Sequence, residues 1–206
     1  VVETFTYDEK LLGKGMSLCS DSKMDEGDEH AKGEPTENGL VEFANKVGFD
    51  KEKMDEIHPR IDELPFDSSR KMMTTVNEIE NRKYTFTKGA IESVLESCSK
   101  IIINGKIQEL TNKIKKEILK KNLEMADLAL RVLACAYKEN TNSKTLKEEN
   151  NLIFKKYLVM KKGYYDNLIK NIPNNHFVRK IKLKIHLNKI KKVLEYDTTT
   201  CQVLTK

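Results

Sequence analysis

KMMTTVNEIENRKYTFTKGA, residues 71–90, is the stretch that decides the fold. Residues 71–80 and 83–88 are rich in β-branched and aromatic side chains, and a short polar break near Asn81 separates them. Two such runs around a turn read as neighbouring strands of an antiparallel sheet. Upstream, GEPTENGLVEFANKVGF places Leu40, Phe43, Ala44 and Val47 at i, i+3, i+4 and i+7, the spacing of one buried helical face. Pro35 suits the first helical turn, Glu34 and Glu37 its positive end, and Gly48 its close. Between Leu12 and Pro35, Gly, Ser, Asp, Glu and Lys dominate, so turns and loop are expected. VVETFTY before them is strand-like.

Downstream, Ile91, Val94, Leu95 and Cys98 again have helical spacing, and KIIING at 100–105 reads as a short strand. A longer helix is expected over 111–130, with Ile114, Ile118, Leu119, Leu123, Ala126 and Leu130 on one side. RVLACAY, residues 131–137, suits a buried strand. Strands interleaved with single helices predict an α+β fold, an α/β sandwich around a largely antiparallel sheet flanked by helices.

The 206 residues suit one ordinary domain, or one domain with an appendage, and the net charge of +5 hides two unlike parts. Residues 151–206 hold thirteen Lys/Arg against Asp166, Glu195 and Asp197, a balance of +10, which leaves −5 for residues 1–150. The expected division is a domain over 1–150 and a basic, Lys/Ile/Asn-rich tail over 151–206. In the tail KIKLKIHLNKIKKVL fits a basic strand or a basic amphipathic helix equally. No run approaches the length of a membrane span, and no signal peptide is visible. A start without Met is expected of a piece of a longer protein. Cys19, Cys98, Cys135 and Cys201 are far apart, which fits a reduced compartment better than a disulfide framework or a zinc site. The four histidines are equally scattered, so no metal cluster is expected.

Four places carry candidate chemistry, and each has a plain structural reading beside the functional one. In GEPTE, Glu37 is either part of a helix start or a carboxylate able to accept a proton from a ligand amino group. In LPFDSSRKMMT, Phe66 with Ser68, Ser69, Arg70 and Lys71 is either a strand edge with solvated charges or an aromatic plate beside cations. In TKGA, Lys88 and Gly89 close a strand where a backbone can approach a ligand and a Lys can meet an anion. Arg131 is either a snorkelling charge at a helix end or a phosphate ligand. Together they form an inventory for a purine nucleotide, held by stacking and by cations. Neither G-x-x-x-x-G-K-[ST] nor G-x-G-x-x-G is present, which removes P-loop and dinucleotide-fold readings.

The order LCSDSKMDE, GEPTENGLVEFA, LPFDSSRKMMT, FTKGAIESVLESC and ALRVLACAY resembles the nucleotide-binding domain of P-type cation-transporting ATPases, most of all the calcium-pump branch with its bacterial members. The resemblance covers roughly residues 1–139, and five motifs in order make it specific. It implies that Phe66 stacks on the adenine of ATP and that Glu37 meets the adenine amino edge with Thr36 beside it. It further implies that Lys88 and Gly89 line the pocket floor, that Lys71 lies near the nucleotide and that Arg131 approaches the phosphates. Ser68 stands where some animal calcium pumps carry a phosphate-contacting Arg, so the chain would lack that contact or supply it from Arg70.

By the same resemblance Mg²⁺ would arrive with the nucleotide, and the partners would be the phosphorylation and actuator domains of a parent pump. The setting would be the cytoplasmic face of an integral protein of the plasma membrane. No nucleic acid and no direct membrane contact are expected of this domain. The phosphorylated Asp of D-K-T-G-T, the T-G-D hinge and G-D-G-x-N-D are absent from these residues, so the chain alone is not expected to complete catalysis. After NLIF the family would reach a D-P-x-R-like segment, whereas KKYLVMKKGYYDNLIKNIPNN departs from it. Residues 155–206 are therefore expected to be foreign to the family, through a shifted frame or a degenerate terminus. The alternatives are a nonfunctional pump remnant, or a basic module that binds nucleic acid or an anionic surface through 151–206.

Overall fold

In the computed structural model, residues 71–90 form the central hairpin of the sheet. β2 (Met72–Ile79) and β3 (Arg82–Gly89) pair antiparallel, from Met72 opposite Gly89 to Ile79 opposite Arg82. Glu80 (φ 51°) and Asn81 (φ 61°) make the two-residue turn. Positive φ at both positions matches the right-handed twist of the strands it joins. The structure describes residues 7–25, 27–28, 30–103, 106–127, 131–139, 149–160 and 201–204. The strand expected before Tyr7, the end of the helix expected to reach Leu130 and residues 161–200 of the basic tail lie outside these.

β1 (Arg60–Asp67) adds to β2 as an edge, and β6 (Arg131–Glu139) adds to the other side of β3. Beyond β6 come β7 (Leu152–Met160), β4 (Cys98–Ile103) and β5 (Lys106–Glu109), so the order is β1-β2-β3-β6-β7-β4-β5. Most pairings are antiparallel. The exceptions are β4 with β7, and β7 with β8 (Cys201–Leu204). β7 lies beyond the boundary expected near 150, yet it pairs with both β6 and β4 inside the sheet.

Strand alternation sorts the side chains into two cores. Met73, Phe86, Cys135 and Tyr137 face α1 (Tyr7–Leu18), α2 (Pro35–Lys46) and α3 (Lys51–Ile57). Met72, Ala134, Ala136 and Phe154 face α4 (Ile91–Glu96) and α5 (Asn112–Asp127), which contribute Val94, Leu95, Ile118 and Met125. Phe86 is 1% exposed, and full burial of such a ring contributes about 1.5–3 kcal/mol. α2 follows the predicted pattern, with Pro35 in its first turn, Glu37 beside it, and Leu40, Phe43, Ala44 and Val47 buried.

The expectation of loop from Leu12 onward is corrected. Residues through Leu18 continue α1, and Leu12, Met16 and Leu18 are fully buried. Gly13 and Gly15 lower helix propensity and hide the pattern from sequence. The fold needs Gly13 bare, because a Cβ there would collide with Val47 Cγ2 and lie 3.0 Å from Phe49 Cδ2. Close packing of α1 on α2 thus overrides local preference. Cys98, expected on a helical face, instead opens β4 and is buried. The elements α3 and β5 were not anticipated, since residues 51–57 and 106–109 carry no regular apolar period, whereas β1 extends the strand edge read at Phe66 back to Arg60.

Candidate functional site

One end of the sheet gathers the candidate residues, because β2 begins, and β1 and β3 end, at the same edge. Lys88 pairs with Met73 across the hairpin and so projects to the α1–α2 face, where it is 5% exposed. Its ammonium donates to Glu37 Oε1 and, at 3.3 Å, to Ser20 Oγ. Glu37 Oε2 accepts the backbone N–H groups of Asp21 (2.8 Å) and Ser22 (3.2 Å). Ser22 Oγ in turn donates to Asn38 Oδ1 at 2.8 Å. Three chain segments therefore meet on one carboxylate: the loop after α1, the first turn of α2 and the end of β3.

Arg60 ties the same loop to β1. Its Nη2 donates to Leu18 O (3.3 Å) and Ser20 O (2.9 Å), while Nη1 reaches Asp21 (2.8 Å) and Glu63 (2.5 Å). Cys19, inside this loop, is fully buried with Sγ 3.5 Å from Met73 O. Burial pushes its thiol pKa up against the opposing charge of Lys88, so it is a poor nucleophile. Thr36 and Arg131 also meet, through Nη1 donating to Oγ1 at 2.5 Å. That bond joins the start of α2 to the start of β6.

Phe66 is 63% exposed on β1. A lone exposed ring means little by itself; its setting gives this one weight. The register of β1 slips between Leu64 and Asp67, and Asp67 then pairs with Met72. Alternation turns the neighbouring Phe66 toward the face of Lys88, as bulges at sheet edges often do. Asp67 closes the following turn, with Oδ1 accepting from Ser69 Oγ, Ser69 N (2.9 Å) and Arg70 N (3.0 Å). The Ser69 hydroxyl first, and then the Arg70 N–H, hold its carboxyl below the usual carboxylate range.

Lys71 follows with φ 56°, and its carbonyl accepts from Ala90 N at 3.0 Å. A Cβ on Gly89 would collide with that carbonyl and lie 2.9 Å from Met72 Cα. The glycine is thus required by chain packed on chain. Arg70 goes elsewhere: its Nη1 meets both oxygens of Glu149 at 2.6 and 2.7 Å, and Nη2 donates to Pro65 O at 2.9 Å. Glu149 also accepts from Thr74 Oγ1, on the face opposite Lys88.

The structure therefore brings Thr36, Glu37, Lys88 and Arg131 together and places Phe66 and Lys71 at the same sheet end, while Arg70 turns to the other side. Ser20, Arg60 and Glu149 were not anticipated. The Ser/Asp-rich run after Leu18 signals the first, but nothing near Glu149 in sequence points to Arg70. No group of three acidic, His or Cys side chains arranged for a metal occurs among the described residues. A cavity of about 390 Å³ lies at the opposite end of the sheet, between Lys100, Lys138 and Ile153, and touches none of these residues. An acceptor carboxylate, cations and an exposed ring can hold an anionic aromatic ligand. They offer no nucleophile.

Residues 9–169 match the family model of the P-type ATPase cytoplasmic domain N. The chain belongs to that family. The match continues through β7, past the point where the separate motifs end. Similar proteins include a calcium-transporting ATPase of Lactococcus lactis subsp. lactis, 39% identical over 149 residues, 71% of this chain and 17% of that protein. A calcium-transporting ATPase of Bacillus cereus is 41% identical over 148 residues, 71% of this chain and 16% of the relative. A third, from Listeria monocytogenes, is 34% identical over 155 residues, 73% of this chain and 17% of the relative. The chain thus spans about a sixth of the length of these curated pumps. Among the described residues no helix is long and apolar enough to cross a membrane.

Proposed function

We propose that this domain N binds ATP for a cation pump and presents the γ-phosphate to an aspartate on a separate phosphorylation domain. The observation that carries this reading is the exposed Phe66 ring at the sheet end where Lys88, Glu37, Thr36 and Arg131 converge. Phe66 stacks on adenine. Glu37 has about one of its four lone-pair sites left, on the oxygen facing Lys88, and offers it to the adenine amino group beside Thr36. Lys88 and Gly89 form the floor, and Lys71 stands beside the nucleotide. Arg131, exposed and held at the start of α2, is within the reach of phosphates. Arg70 braces the turn.

Mg²⁺ enters as the nucleotide's own counterion, and the electrostatic work of phosphoryl transfer falls to the partner domain. The parent protein would be a calcium-type cation translocase of the plasma membrane, with this domain on the cytoplasmic side and the phosphorylation and actuator domains as its partners. The names of the relatives and the family match support that reading.

A stacked base contributes about 1–3 kcal/mol and a charge-assisted contact about 1.5–3 kcal/mol. Set against association costs, these give an expected Kd for ATP of roughly 0.1 to several mM. The test is titration of ATP into the full chain while following backbone amide shifts. Saturable shifts around Phe66 and Lys88 are expected, and their absence would overturn the assignment.

A further inference from the structure

We propose that Glu149 is a positioning residue for the nucleotide: it clamps Arg70 and thereby fixes the strand end that presents Phe66. The inference rests on the reading of Phe66 as the adenine platform.

Pro65 and Phe66 fall in the register slip of β1, and neither has a ladder partner on β2. Pro65 also lacks an N–H to donate. The backbone that carries the ring is thus the least supported part of the edge strand. What holds it is Arg70 Nη2, which donates to Pro65 O at 2.9 Å. That guanidinium is aimed by Glu149, whose two oxygens take Nη1 at 2.6 and 2.7 Å, with side chains 28% and 12% exposed.

Glu149 is itself anchored on the rigid hairpin. Its Oε1 accepts from Thr74 Oγ1 at 2.5 Å, and Thr74 shares a 2.9 Å bond with Thr87, both fully buried. A chain of bonds therefore runs from the centre of the β2–β3 pair through Glu149 and Arg70 to the residue before Phe66. Charge-assisted pairing of an Arg with a carboxylate carries both energy and direction. The same pair neutralises Arg70 on the face away from Lys88, which keeps its charge off the phosphates.

If Glu149 acts at the base platform, its loss must weaken adenosine and ATP alike. ATP and adenosine are each titrated into the full 206-residue chain and its Glu149→Gln, Arg70→Met, doubly substituted and Phe66→Ala variants, with affinities read from amide shifts. Glu149→Gln and Arg70→Met are each expected to weaken both ligands by the same factor, roughly 3- to 10-fold, and the double variant is expected to lose no more than Arg70→Met. Unchanged affinities in Glu149→Gln would overturn the clamp. So would a gain for ATP alone, since that would make Arg70 a phosphate ligand released from its partner.

Phe66→Ala separates the two readings. If it leaves both affinities intact, the platform itself is wrong; if it weakens them while Glu149→Gln does not, only the clamp is. Should Glu149→Gln fail to fold, Arg70→Lys keeps the charge but cannot reach Glu149 and Pro65 O together. It is expected to show the same equal loss, and wild-type affinity for both ligands would sink the proposal.

Discussion

Lys88 and Glu37, 51 residues apart, form a nearly enclosed ion pair, with side chains 6% and 17% exposed. The Glu37 carboxylate also caps two N–H groups of the loop after α1. The pair thus sets the floor of the site and fastens three segments of chain at once. Removing one member leaves a charge without its partner, which is more costly than removing both.

Lys88→Met alone is therefore expected to destabilise the domain by about 2–4 kcal/mol, somewhat less than a fully enclosed pair because Glu37 keeps some solvent. Combining it with Glu37→Gln should recover part of that loss. Urea unfolding midpoints of both single variants and the double test this coupling; simple additivity would show that the two groups act independently.

Phe66→Ala removes a ring that is 63% exposed, so stability should change by no more than about 0.5 kcal/mol. ATP affinity should fall about 5- to 100-fold, the share that one stacked base contributes. Parallel thermal unfolding and ATP titration separate the two effects.

Gly89→Ala places a methyl group against the Lys71 carbonyl and 2.9 Å from Met72 Cα. Since the obstacle is backbone, relief requires β2 to shift, and a cost of about 1–3 kcal/mol is expected. A wild-type midpoint would mean that the turn at Lys71 yields more easily than its φ of 56° suggests.

The carboxyl of Asp67 is held below the usual range by its bonds to Ser69 and Arg70. A folded value below the unfolded one means that the unfolded chain binds the proton more readily. The contribution is therefore fully present above about pH 4, the unfolded value, and is lost as the pH falls through the lower folded value. Carboxyl carbon shifts should place the midpoint of Asp67 below that of a model peptide, with the Ser69 and Arg70 amides moving in step. In Asp67→Ala that amide transition should disappear.

How much was legible follows from the range of each interaction. α2 and the β2–β3 hairpin carry their signals within a few residues, as the spacing of Leu40, Phe43, Ala44 and Val47 and the turn at Asn81 show. α1 was hidden because Gly13 answers to Val47 and Phe49, partners just past the end of another helix. The floor of the site was foreseeable as a set of residue types. That Glu37 would spend most of its acceptors on Lys88, Asp21 and Ser22 was not, because only tertiary packing brings them together. Arg70 shows the same limit: its partner Glu149 lies 79 residues away.

The placement of β7 between β6 and β4, antiparallel to the first and parallel to the second, has a consequence for biosynthesis. β4 and β5 pair with each other, and their sole link to the β1-β2-β3-β6 ladder along the strand order runs through residues near Leu152, Ile153 and Phe154. A nascent chain stopped just after β6 would hold two separate half-sheets, with Ala136 and Ile101 lacking the Phe154 ring that packs in the same core. Cooperative folding on the ribosome should thus await the emergence of β7, and a candidate site whose floor is already encoded by residue 89 would become rigid only some seventy residues of synthesis later.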